Sequence, residues 1–171
     1  MTADDALAFL RANQPLPPQS RCSDELIQTL NEVREYFLAS PDPRCIPLLL
    51  GVFNDGDGHG VFQLIDKVIW HFPNDDVLPH LVRSLSTGTP EAKYWSTQIA
   101  THYDDPVLAE PLIVLAEQAG ESQYFAVLAL SLNLAVGVSS RLRKIRQTVT
   151  DSELIGLLDE VVAERDRSSL P

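Results

Sequence analysis

The sequence predicts an all-α protein, a short HEAT-like α-solenoid built from antiparallel helix pairs. Three observations predict this class. Proline-led segments recur every 32 residues, apolar residues recur between them at helical spacing, and no stretch alternates as a β-strand does. A single helix pair cannot bury its apolar face alone, so neighbouring pairs are expected to stack into one continuous core.

The repeat is marked by Pro47, Pro79 and Pro111, each preceded by acidic residues and followed by apolar ones. Proline is tolerated in the first turn of a helix because the N–H groups there have no intrahelical acceptor. A preceding aspartate can accept hydrogen bonds from the free amides and complements the helix dipole. The pattern therefore predicts three helices that each begin with an acidic cap and a proline in the first turn.

Breaker residues and apolar periodicity divide the whole chain into ten predicted helices. We expect them near residues 3–13, 23–40, 43–53, 59–72, 75–86, 90–103, 106–119, 121–135, 140–148 and 151–166. Residues 14–19, rich in proline, are expected to form a stiff connector. The predicted organisation is a single helical-repeat domain over 1–171, with N-terminal helices (1–40), three matched repeats (42–135) and C-terminal capping helices (136–171).

The charge of the chain is strongly negative and unevenly distributed. The 171 residues have a net charge of −11, and residues 1–140 contain 18 acidic but only 7 basic residues. An acidic body repels phosphates and argues against nucleic-acid binding, whereas it would attract a basic protein partner. The alternative is that the acidity serves only solubility.

Two further features concern the cellular location of the chain. No apolar run is long enough for a membrane span, and the N-terminus lacks the basic segment of a secretory signal. The two cysteines are too few for a disulfide framework. We therefore expect a cytoplasmic protein with reduced thiols and no membrane partner.

One loop imitates a calcium-binding motif. From Asp55 to Asp66 the acids, Gly60 and an apolar residue follow the order of an EF-hand loop, but His59 occupies a ligand position and imidazole binds calcium poorly. We interpret the segment as a glycine-rich turn in which Asp55 or Asp57 caps the next helix, and we predict no metal site and no cofactor. No nucleophile elbow or phosphate-binding loop is present, so the sequence does not indicate an enzyme.

Acidic residues recur at the boundaries of the repeats, where stacking would bring equivalent loops onto one edge. Large aromatic side chains follow in the second helices and could anchor a partner, since tryptophan and tyrosine often dominate binding energy. The predicted partner-binding residues are Asp55, Asp57, Trp70, Asp75, Asp76, Tyr94, Trp95, Asp104 and Asp105. The alternatives are helix capping for the acids and core packing for the aromatics.

The only basic cluster covers residues 141–146. Nucleic-acid binding requires a broad basic surface, which six residues of an acidic chain do not provide. We expect a solvated helix face, or pairing with the acidic last helix, residues 151–166.

Four segments carry a resemblance to a known family: residues 46–55, 61–69, 78–82 and 92–101, followed by the acidic pair at 104–105. Through them, residues 42–133 resemble the immunity protein thirty family of bacterial polymorphic toxin systems. It implies a cytoplasmic protein that neutralises one cognate toxin by binding it. The alternative is a helical-repeat adaptor or assembly subunit without a toxin partner.

Overall fold

The computed structural model of the protein describes residues 1–168, in which ten α-helices and no β-strand are present. The predicted all-α class is confirmed. The helices are α1 (Ala3–Ala12), α2 (Asp24–Ala39), α3 (Ile46–Leu49), α4 (Ile65–Ile69), α5 (Asn74–Thr87), α6 (Pro90–Ala100), α7 (Ala109–Glu117), α8 (Ser122–Leu132), α9 (Val138–Arg146) and α10 (Ser152–Ser168). The predicted C-terminal segment extends to residue 171, and its residues 169–171 lie outside the part of the chain that the structure describes.

The chain divides into two compact units, Met1–Trp95 and Ser96–Pro171, and the boundary falls within α6. In the first unit α1 packs against α2 and α3, α2 against α4, and α3 against α5. Its core is formed by fully buried side chains such as Leu10 of α1 and Phe37 of α2. The buried residues of α1, Ala6, Leu7 and Leu10, recur at helical spacing, so this helix presents a single apolar face to the core.

The second unit contains the end of α6, from Ser96, and four complete helices, α7 to α10. The main contacts form a closed cycle, in which α7 packs on α8 and α9, and α10 packs on the same two helices. Leu112, Leu130, Leu142 and Leu158 are each fully buried and come from the four helices in turn. The third predicted repeat and the predicted C-terminal helices therefore share one apolar core.

The capping prediction is confirmed for two of the three proline-led segments. Asp42 accepts a hydrogen bond from the N–H of Arg44, and Asp105 accepts one from Val107; each aspartate precedes a 3₁₀ turn that leads into α3 or α7. The capping prediction is wrong for the segment of Pro79, because Pro73 rather than an acid occupies the N-cap of α5 and no side chain makes a capping hydrogen bond there. Pro73 has an extended backbone (φ −57°, ψ 148°), and α5 begins at the next residue, Asn74, one residue before the predicted start.

The predicted helices at 43–53 and 59–72 are much shorter in the structure. The α-helical parts are α3 and α4, and residues 50–57 between them are irregular. Gly58, His59 and Gly60 all have positive φ values (57°, 50° and 86°), so the backbone there cannot continue as a right-handed α-helix. Two 3₁₀ turns, Gly58–Gly60 and Phe62–Leu64, replace the predicted first turns of the second helix.

The connector at residues 14–19 is fixed to the loop that follows α3. The N–H of Leu16 donates to the carbonyl of Val52 (2.9 Å), and the buried Asn54 side chain donates to the carbonyl of Pro17 (2.5 Å). Asn54 also accepts from the N–H of Gly56 (3.0 Å), which satisfies its second polar group. The connector is therefore part of the first unit, since its backbone groups are bonded to the loop.

The two cysteines are both free and differ in burial, and this predicts different reactivity. Cys45 is fully buried, and burial raises the pKa of its thiol to about 12; Cys22 is half-buried, and desolvation raises the pKa of its thiol as well. Because only the thiolate attacks, a chromogenic disulfide reagent at about pH 8 should modify one thiol slowly in the native protein and the second only after denaturation. Modification of two thiols at equal rates without denaturant would contradict the burial of Cys45, and a Cys22→Ser variant identifies the reacting residue.

Candidate partner-binding site

The loop between α3 and α4 contains two of the predicted site acids. Asp55 accepts a hydrogen bond from the backbone N–H of Gln19 (2.6 Å), so its carboxylate holds the connector. Asp57 is exposed and precedes the 3₁₀ turn Gly58–Gly60, but its carboxylate accepts no capping hydrogen bond. The expectation that either residue caps the next helix is therefore wrong. Within residues 1–168, no three His, Cys, Asp or Glu side chains are arranged to hold a metal ion.

Asp75 and Asp76 lie in the first turn of α5, and both are exposed. This position is favourable for a carboxylate because the N-terminal end of a helix carries a partial positive charge. Neither side chain makes a hydrogen bond to the backbone as a cap would. The two negative charges therefore remain available at the surface of the first unit.

Asp104 and Asp105 form the turn that precedes α7. Asp105 is half-buried, and its carboxylate accepts a hydrogen bond from the N–H of Val107 (2.9 Å), whereas the Asp104 side chain is exposed. The carbonyl of Asp104 accepts a hydrogen bond from the N–H of Leu134 (2.8 Å), which joins this turn to the segment after α8. A negative charge and an apolar segment therefore lie side by side in the second unit.

The structure brings together some of the predicted residues in pairs. Asp55 and Asp57 share one loop, Asp75 and Asp76 share one helical turn, and these belong to the first unit. Asp104 and Asp105 share a turn of the second unit. That the three pairs form one edge remains a prediction.

The predicted aromatic anchors differ in exposure. Trp95 is only 8% exposed; its ring stacks on Phe53 (centroids 5.7 Å apart, planes 20° apart) and meets Phe62 edge to face (5.6 Å). The expectation that Trp95 is an exposed anchor is therefore wrong, because the side chain belongs to the core of the first unit. Trp70 and Tyr94 are half-buried, so part of each remains accessible.

The basic cluster is largely neutralised by ion pairs. Arg143 pairs with Asp166, and Arg146 with Asp159 (2.8 Å), so the predicted pairing with the last helix is confirmed. Arg141 instead reaches α7, where it bonds Glu117 (2.9 Å). The basic residues of α9 therefore add little free positive charge to the surface.

Sequence reasoning missed an exposed apolar segment between α8 and α9. Leu134 is 67% exposed and Val136 is fully exposed, whereas Asn133 between Leu132 and Leu134 is fully buried. The only sequence signal is a pair of polar residues, Ser131 and Asn133, inside the apolar run 125–138. That signal indicates an interruption, but it does not show which side chains face the solvent.

In the described residues 1–168, none of the helices has both the length and the apolar character that are needed to cross a membrane. No family model matches the chain, and comparisons with curated proteins and with solved structures also find no match.

Proposed function

We propose that this chain is an immunity protein that neutralises a bacterial toxin domain in the cytoplasm by stoichiometric binding, without catalysis. The observation that carries the proposal is unpaired negative charge. The carboxylates of Asp57, Asp75, Asp76 and Asp104 are all exposed, and within residues 1–168 they form no hydrogen bond and no ion pair. Acids that were only helix caps would be bonded to backbone amides, as Asp42 is.

This charge suits a basic partner for two physical reasons. Opposite charge accelerates association by long-range attraction, and like charge disfavours wrong partners. The net charge of −11 acts in the same sense, and the basic residues of α9 offset it little locally because three of the four, Arg141, Arg143 and Arg146, are paired within the chain. A toxin domain with a basic surface is therefore the partner class that these exposed carboxylates favour.

The proposal includes a short HEAT-like arrangement of the helix pairs. It is supported by the spacing of Pro47, Pro79 and Pro111, each of which is the fifth or sixth residue of a helical segment. Equivalent prolines at equivalent places indicate repeated local structure. The resemblance of residues 42–133 to immunity proteins supports the same function.

The test uses the protein encoded immediately upstream of this chain's gene. Expression of that protein alone should stop growth, and co-expression of this chain should restore it. Charge reversal of Asp75 and Asp76 to Lys should weaken binding to that protein by roughly 1–3 kcal/mol, because interfacial charge pairs are lost. Titration calorimetry measures the affinity, and stopped-flow association at increasing salt measures the electrostatic contribution.

The matched control reverses Glu153 and Glu160 of α10, which are exposed and change the net charge equally. Glu153 lies in a first helical turn as Asp75 and Asp76 do, so the loss of the helix-dipole interaction is partly matched. Asp55 is unsuitable, because its reversal would also release the connector. Equal losses of affinity for both pairs would remove α5 from the interface, and an upstream product that neither harms cells nor binds the chain would overturn the function.

A further inference from the structure

The segment 132–136 has the reverse of the usual burial pattern. Its apolar side chains Leu132, Leu134 and Val136 are 55%, 67% and fully exposed, and the amide of Asn133 is completely buried. Monomeric proteins rarely expose large contiguous apolar patches, and such patches mark interaction sites. The pattern therefore requires a reason beyond folding.

The polar groups inside this segment are held from several directions. The Arg165 guanidinium of α10 donates hydrogen bonds to the carbonyls of Leu130, Ser131, Asn133 and Ala135. The Asn133 side chain accepts from the N–H of Ala135 (2.9 Å). A backbone bonded in this way is fixed before any partner arrives, so binding through it has a smaller entropic cost.

The segment is also joined to the acidic turn that precedes α7. The N–H of Leu134 donates to the carbonyl of Asp104, and the Asn133 amide donates to the carbonyl of Asp105 (2.6 Å). Val107, two residues further along the turn, is 51% exposed. Exposed apolar side chains and the unpaired Asp104 carboxylate thus lie on adjoining backbone segments that are hydrogen-bonded to each other.

We propose that residues 132–136, with Asp104 and Val107, form a docking surface for a protein partner that presents an apolar pocket rimmed by Lys or Arg. The inference rests on the proposed function and deepens it, because it identifies apolar anchors beside one of the acidic turns. The occupant follows from charge complementarity. A basic rim would pair with Asp104 while the pocket covers Leu134 and Val136, whereas a second copy of this chain would bring two like-charged acidic turns together.

The test compares binding of the upstream-encoded protein to the full chain and to two variants. The first variant carries Leu134→Ser and Val136→Ser, which remove the anchors but leave Asn133 and Arg165 in place. The control is Val114→Ser, a change of the same kind at a 47% exposed position on α7. We expect a roughly 10- to 100-fold weaker affinity for the first variant and no change for the control, with the same melting temperature for all three proteins.

The outcomes separate this inference from the function on which it rests. If the full chain binds and the double variant binds equally well, the docking surface is wrong and the immunity function stands. If the full chain does not bind, both proposals fall. Sedimentation equilibrium of the free chain tests the other occupant: a dimer that Leu134→Ser dissociates would assign the surface to self-association and overturn the basic partner.

Discussion

Replacing Trp95 with Ala should destabilise the protein by about 3–5 kcal/mol, the range found when a large buried aromatic side chain is truncated. The indole is 8% exposed, and it packs against both Phe53 and Phe62, which also contact each other edge to face (5.2 Å). Truncation would therefore leave a cavity and remove the ring contacts with Phe53, Phe62 and the neighbouring Tyr94, and an aromatic pair is worth about 0.5–1.5 kcal/mol beyond the area that it buries. The measurement is the free energy of unfolding in urea, with circular dichroism as the signal that monitors unfolding.

Two variants show whether the cavity is the cause of this loss. Trp95→Phe keeps an aromatic ring in the same place, so it should cost clearly less than Trp95→Ala. Trp70→Ala truncates a half-buried tryptophan and should also cost less, since less of its side chain is removed from the core. A small loss of stability at Trp95 together with a large loss of partner affinity would contradict the core assignment and restore the anchor that the sequence suggested.

The features that were predictable from the sequence are those decided within a few residues. Asp42 and Asp105 cap helical segments because each carboxylate reaches an amide two residues ahead, so the residue types alone indicate the bond. The same rule failed at α5, where Pro73 occupies the N-cap and Pro79 falls inside the helix. Both prolines are compatible with a helix start nearby, and the sequence does not show which of them marks the first turn.

The features that were missed depend on contacts between distant parts of the chain. Trp95 and Tyr94 are neighbours in one helix, and only the packing of Phe53 and Phe62 decides that Trp95 is the buried one. Likewise, Asn133 is buried because Asp105, 28 residues earlier, offers its carbonyl. Helical periodicity has no information about either contact, which is why the fold class was predictable and the exposed segment was not.

Replacing Asn133 with Leu should cost about 1–3 kcal/mol of stability, the cost of leaving one polar group unsatisfied, because the N–H of Ala135 loses its acceptor. The carbonyl of Asp105 also loses a donor, but it keeps the N–H of Leu108 (3.2 Å). The side-chain nitrogen of Asn133 donates a hydrogen bond to the carbonyl of Asp105, and the side-chain oxygen accepts one from the N–H of Ala135. A leucine has the same branching as asparagine but a larger volume, so the apolar burial that it gains, about 25 cal/mol per Å², is opposed by crowding at this fully buried position and does not offset the unsatisfied N–H. The neighbouring change Leu132→Ser, at a 55% exposed position, should stay within about 0.5 kcal/mol.

Asn133→Asp separates the two hydrogen bonds by their dependence on pH. At neutral pH the introduced carboxylate can still accept from Ala135 but cannot donate to the carbonyl of Asp105, and it places a charge at a fully buried position. Burial beside a carbonyl raises the pKa of that carboxyl in the folded state above its unfolded value of about 3.9. The unfolded state then loses its proton first as the pH rises, so stability falls between the two pKa values and is recovered as the pH is lowered again.

Relative to the wild-type protein, we expect Asn133→Asp to be least destabilised near pH 4 and most destabilised near pH 7, whereas the loss for Asn133→Leu should not change with pH. If the loss of stability for Asn133→Asp is also independent of pH, the introduced carboxyl stays ionised over this range. Its partner would then be Arg165 rather than the Asp105 carbonyl.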